Sequence, residues 1–146
     1  MKKIVLIVLF LAAVFFCARL LNQHLLLSSA ERLVSSFYNQ YNQKDFEYIY
    51  DVLCDQKMHS RMKPAVFQYM MQDSYAKLGP VQDRKKIRWK EIHLQKDLFL
   101  SLEYKIKRAK ISSAEKFVLI RRSKDWFVDS YEIRRAETKI VATKKP

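Results

Sequence analysis

The stretch KLGPVQDRKKIRWKEIHL, residues 77 to 94, holds the point at which the chain changes its period. Before it, apolar residues recur every three or four positions; after it, they alternate. Gly79 suits the left-handed residue that closes a helix, and Pro80, lacking an amide proton, forbids continuation. Upstream, Pro64 fits a first helical turn, and Val66, Phe67, Met70, Met71, Tyr75 and Leu78 follow at helical spacing, which predicts a helix ending at Gly79. Downstream, Ile87 and Trp89 alternate with Lys86, Arg88 and Lys90, which predicts a strand.

The same two periods organise the flanking sequence. Leu33, Val34, Phe37, Tyr38 and Tyr41 predict an amphipathic helix over about 30–43, and Asp45 can cap a short second helix carrying Phe46, Ile49, Tyr50 and Leu53. After residue 94, Leu98, Leu100, Leu102, Tyr104 and Ile106 share one face of a second strand. EKFVLIRR (115–122) and DWFVDSYEIRR (125–135) supply two more. The connections at 96–97, 111–115 and 123–125 are short and polar, which predicts an antiparallel meander. Helices followed by strands is an α+β layout, here three helices on one face of a curved four-stranded sheet.

The N-terminal run IVLIVLFLAAVFFCARLL, residues 4–21, follows Lys2 and Lys3, as a signal peptide or a membrane anchor would. Either reading exports the domain. Ile4 to Ala18 spans only about 22 Å as a helix, and Leu20 and Leu21, with Arg19 reaching to the headgroups, extend it to about 27 Å. Phe15 and Phe16 are too large for lipid attachment at Cys17, or for cleavage after Ala18. SSA at 28–30 offers a better cleavage site, yet Ser28 and Glu31 also form a capping-box pattern that would start a helix. Two expectations stand: an uncleaved signal-anchor in a bacterial inner membrane, or a periplasmic or secreted domain released near Ala30. The resulting division is 1–27 for the anchor or signal, 28–137 for the domain and 138–146 for a basic tail.

Composition narrows the function. One glycine excludes a glycine-rich phosphate loop, and two distant cysteines give no metal spacing and no disulfide pair, so no cofactor or metal is expected. Of the net charge of +13, residues 28–83 carry six Lys or Arg against seven Asp or Glu, and residues 84–146 carry nineteen against eight. The basic half suits anionic lipid headgroups or an acidic protein, with Arg84, Lys85, Lys86, Arg88 and Lys90 as its densest run. A solvated strand face built to discourage edge pairing explains the same residues. No nucleic-acid-binding motif accompanies the charge, so nucleic acid is not an expected partner.

YNQKDFEYIYDVL (41–53), the helix ending in LGP (78–80), and KDWFVDSYEI (124–133) with Trp126 opening the last strand resemble the nuclear transport factor 2-like superfamily. The likeness covers about residues 28–135 and is greatest to small bacterial envelope proteins of that superfamily carrying an N-terminal signal or anchor. It implies a cone-like domain. By architecture it also resembles the periplasmic domain of an inner-membrane assembly subunit of type IV secretion systems. Catalytic members place an Asp with a His or Tyr inside the cone. Here Glu91 and His93 share a strand face with Trp89, although Ile92 and Leu94, of opposite parity, argue that the face slips and the pair is not catalytic. No catalytic residue is assigned. Trp89, Glu91, His93 and Trp126 are candidates for lining a ligand site. Phe99, Phe127 and Tyr131 are candidates for binding a protein partner, or a second copy, through the sheet. The expected function is a non-catalytic envelope interaction module, with a small-molecule or lipid-binding cone as the alternative.

Overall fold

The computed structural model describes residues 2–135, so the expected tail at 138–146 lies outside the described residues. The protein is α+β. A 42-residue helix, α1 (Lys2–Gln43), leads into α2 (Phe46–Tyr48), which relaxes into a π-turn over Ile49–Leu53, then α3 (Gln56–Arg61) and α4 (Pro64–Leu78). Four strands follow: β1 (Val81–Leu94), β2 (Asp97–Arg108), β3 (Ser112–Arg122) and β4 (Asp125–Arg135). They form one antiparallel sheet in the order β1-β2-β3-β4.

The helix expected over 30–43 is the C-terminal half of α1, and no capping box interrupts it. Ser29 returns its hydroxyl to the Leu26 carbonyl at 2.8 Å, while Glu31 pairs with Lys86 of β1. Glu31, which the capping box would need, is thus engaged by β1, and the helix runs unbroken through Ser28. Asp45 does cap α2, its carboxylate accepting from Tyr48 N–H at 3.1 Å. The sequence pattern missed α3, which has six residues and a single buried apolar side chain, Met58, under an Asp55 cap. Gly79 closes α4 at φ 78°, and a Cβ there would come within 3.0 Å of Ala109.

One sheet face carries Leu100, Leu102, Tyr104, Ile106, Phe117, Leu119 and Val128, all buried against Val34, Phe37, Tyr38 and Tyr41 of α1. Phe37 and Tyr38 both meet Phe117 edge to face, at 5.0 and 5.5 Å between ring centres. Such geometry adds to the burial of large rings.

Of three register shifts in the sheet, at Gln82, Ile87 and Asp129, the last two decide where the residues picked out from sequence point. Lys86 pairs with Tyr104 and Arg88 with Glu103, leaving Ile87 unopposed. The side-chain alternation therefore shifts by one, and Arg84, Lys86, Trp89, Glu91 and His93 share the inner face. In β4, Val128 pairs with Leu119 and Ser130 with Val118, leaving Asp129 extra. Tyr131, expected on the outer face, consequently turns inward.

Candidate functional site

The interior holds a charged cluster that strand parity alone brings together. Arg108 continues the inward series Tyr104 and Ile106, and Glu115 continues Phe117 and Leu119, on adjacent strands. Arg108 is 3% exposed and Glu115 2%. Two guanidinium nitrogens of Arg108 reach Glu115 Oε1, at 2.6 and 2.8 Å. Ser113 donates to the same oxygen at 2.7 Å, while Tyr38 and Tyr131 donate to Oε2 at 2.8 and 2.6 Å. Arg108 also donates to the Gly79 carbonyl at 3.2 Å and lies 4.6 Å from the Tyr41 ring centre. Burial pushes the Tyr38 and Tyr131 hydroxyls well above the ordinary phenol range, with the Glu115 carboxylate adding to it.

This cluster ties helix to sheet. Its carboxylate oxygens accept from four residues, and aromatic rings of Tyr38, Tyr41 and Tyr131 pack around it. Periodicity alone does not reveal it, because a charged residue normally marks the end of a core face. The usable signal was continued parity through a charge on two neighbouring strands.

The residues picked out from sequence lie elsewhere. Glu91 and His93 do meet, carboxylate to ring nitrogen at 2.5 Å, but the His93 side chain is 70% exposed, so the pair stands in water rather than inside a cavity. Trp89 is 36% exposed on the same face. Trp126 is buried and donates its indole N–H to Ser29 of α1 at 2.9 Å, a structural contact. Phe99 lies beneath the Lys57 ammonium of α3, 5.3 Å from its ring centre, and Phe127 walls a cleft with Cys54, Asp55 and His59. Neither phenylalanine stands on an open face, because α3 crosses this end of the sheet. Nor do the five basic residues of β1 form one patch. Arg84 donates to Ser35 and Lys86 to Glu31 on the helix side, whereas Lys85, Arg88 and Lys90 face outward and Arg88 pairs with Glu103 at 2.9 Å. The bulge at Ile87 divides them.

A second charged set holds α3 in place. Arg122 pairs with Asp55 and Asp97, both at 3.0 Å, and Lys57 pairs with Asp97 at 3.1 Å. Burial would raise the Asp55 carboxyl, but the hydrogen bonds from Arg122 and the Lys57 amide outweigh it and hold the group below its usual range. Beside it, the buried Cys54 thiol is pushed up to about 12 by burial, which leaves it protonated and unreactive at neutral pH. Among the described residues, no group of three or more His, Cys, Asp or Glu is placed to hold a metal ion.

While Tyr48, Val52, Ile87, Trp89 and Leu94 are exposed at other places on the domain, three exposed apolar side chains, Val66, Tyr69 and Met70, share one face of α4, Tyr69 at 70% exposure. The spacing of three and four residues places them together on the helix surface. The N-terminal part of α1 is likewise exposed, with mean hydropathy and length sufficient to cross a membrane. Fold and surface together define an α+β domain carried on an apolar helix of membrane-spanning length. No protein-family model matches the chain, and no curated protein is significantly similar to it.

Proposed function

We propose that the chain is a membrane-anchored, non-catalytic interaction module of a bacterial envelope, with a nuclear transport factor 2-like domain facing the periplasm. The observation that carries this reading is the contrast between a sealed interior and the bare apolar face of Val66, Tyr69 and Met70 on α4. A face of this kind on a small domain suits a protein partner. α4 replaces the outer sheet face as the favoured contact, since Phe99 and Phe127 are half-covered and Tyr131 points inward. A photo-crosslinking residue at position 69 of the full chain, expressed in its host, should give a discrete adduct. The same residue at Lys116, on the outer sheet face, should give none. An adduct of twice the chain mass at Lys116 would restore sheet-to-sheet pairing, and absence of adducts at both positions would contradict the reading.

A cleft of about 400 Å³ between α2, α4 and the β2–β3 connection favours a second reading, a small anionic ligand. Phe46, Tyr75 and Pro80 form its apolar walls, and Lys44 and Lys110 stand at its rim. Native mass spectrometry of the chain purified from its host would show such a ligand as a constant added mass. The bare chain mass would remove this alternative.

A further inference from the structure

We propose that the tips of the two β-hairpins, Leu94 and Lys96 in one and Arg121 and Lys124 in the other, lie in the lipid headgroup layer and hold the phosphates of anionic lipids. The proposal rests on the reading of α1 as a membrane anchor, and it follows from how the sheet is hung on that helix.

Both edge strands run alongside α1. On β1, Arg84 meets Ser35 and Lys86 meets Glu31, so two strand residues, about 6.6 Å, match four helix residues, about 6 Å. On β4, Trp126 meets Ser29, and the Tyr131 ring lies 4.8 Å from that of Phe37. Eight helix residues, about 12 Å, thus match five strand residues, one of them a bulge. In both cases the turn-bearing end of the strand points toward the N-terminus of α1.

The reach of each hairpin can then be compared with the position of the bilayer. Leu21 ends the apolar run, and Ser29 stands about 12 Å beyond it along the helix. The turn at Ser123 and Lys124 projects two to three residues past Trp126, roughly 7 to 10 Å back toward the membrane. That places the turn within about 5 Å of the hydrocarbon boundary, inside a headgroup layer about 5–7 Å deep. The β1–β2 turn reaches further. From Lys86, level with Glu31 and about 15 Å from Leu21, seven paired positions lead to Leu94 and one more step to Gln95, roughly 26 Å when straight. Laid straight along α1 this length would pass Leu21 by about 11 Å, so the headgroup position requires β1 to lean about 55–70° from the helix axis, a lean that a twist of roughly 20–25° per strand accumulates across a four-stranded sheet.

The chemistry of the tips suits that depth. Leu94 is 61% exposed, and Lys96 and Lys124 are exposed with no carboxylate paired to either among the described residues. The Arg121 guanidinium lies 6.0 Å from the Trp126 ring, and its buried Nε meets no acceptor among the described residues. Asp97, the acidic residue of the first turn, is already held by Lys57 and Arg122. Asp125 and the His93-bound Glu91 are the remaining carboxylates, so Lys96, Arg121 and Lys124 leave the tips with one positive charge in excess. Exposed apolar residues beside lysine and arginine match the composition of a membrane interface, and arginine binds phosphate in a bidentate fork.

The test uses the full chain in nanodiscs of pure phosphatidylcholine and in discs containing phosphatidylglycerol, probed with a water-soluble amine-acylating reagent and read by peptide mass spectrometry. Acylation of Lys96 and Lys124 should fall about fivefold in the anionic discs and recover in high salt, while Lys105 and Lys110 stay constant. Equal labelling of Lys96 and Lys124 in both discs, with the chain still disc-bound, would overturn the proposal. A chain that elutes apart from the discs would instead overturn the anchor reading beneath it.

Discussion

Arg108 with Glu115 and Arg122 with Asp55 are the same chemistry in two environments. The first pair is sealed between α1 and the sheet, with its carboxylate taking donors from Ser113, Tyr38 and Tyr131. The second sits at the end of the sheet, where the Arg122 side chain is 37% exposed and shares itself between Asp55 and Asp97. Desolvation separates them. In the interior, every lone pair must meet a protein donor, and loss of one partner strands a charge. At the rim, water reaches the Arg122 guanidinium and the Lys57 amide still serves Asp55, itself only 5% exposed, so loss of Arg122 should cost less than loss of an inner partner.

The largest effect should come from breaking the inner pair alone. Glu115→Ala leaves Arg108 buried without its carboxylate and should cost about 3–5 kcal/mol in urea unfolding of the full chain in detergent. Joint replacement Arg108→Met with Glu115→Leu should cost markedly less than the single change; an equal cost would mean that shape, not charge, dominates the cluster. The next effect lies at alkaline pH. Burial raises the Tyr38 and Tyr131 hydroxyls in the folded state. Their contribution to stability is therefore complete below the unfolded value of about 10 and is lost as pH rises beyond it. Phenolate absorbance should accordingly show Tyr38 and Tyr131 ionising only together with unfolding.

At the rim, Arg122→Ala should cost about 2 kcal/mol, less than the inner change because water screens the guanidinium, but more than a surface pair because Asp55 is buried. The Asp55 carboxyl, held low in the folded state, stabilises the protein above the unfolded value of about 4 and loses that contribution as pH falls below it. Asp55→Asn should flatten this acid limb, measured as the urea midpoint against pH. The smallest change should follow Tyr69→Ser, within about 0.5 kcal/mol of the parent stability. Loss of the crosslinked adduct without loss of stability would separate the recognition face from the fold; a large destabilisation would place Tyr69 in the packing instead.

Sequence was most informative where one residue type forces one geometry. Pro64, Gly79 and Pro80 bracket α4, Asp45 caps α2, and period-2 runs identify all four strands. Ser28 and Glu31 fit a helix start in sequence, but Glu31 is drawn to Lys86 of β1 and the helix runs through Ser28. Face assignments failed at Ile87 and Asp129, where bulges shift the alternation without leaving a residue-type signal. That is why Tyr131 and the β1 lysines and arginines moved. The Arg108–Glu115 cluster was hidden for a different reason: the burial of a charge depends on its partner across the sheet, which lies seven residues away through a turn.

The central claim is that α1 stays whole, with one helix serving the membrane at its N-terminal half and the domain core at its C-terminal half. Intact mass of the native protein, recovered from the membrane and soluble envelope fractions of its host, tests it directly. A full-length mass in the membrane fraction is the predicted result. A mass beginning at Glu31 in the soluble fraction would contradict it, since cleavage there would free the domain from the bilayer and remove Ser29 from Trp126.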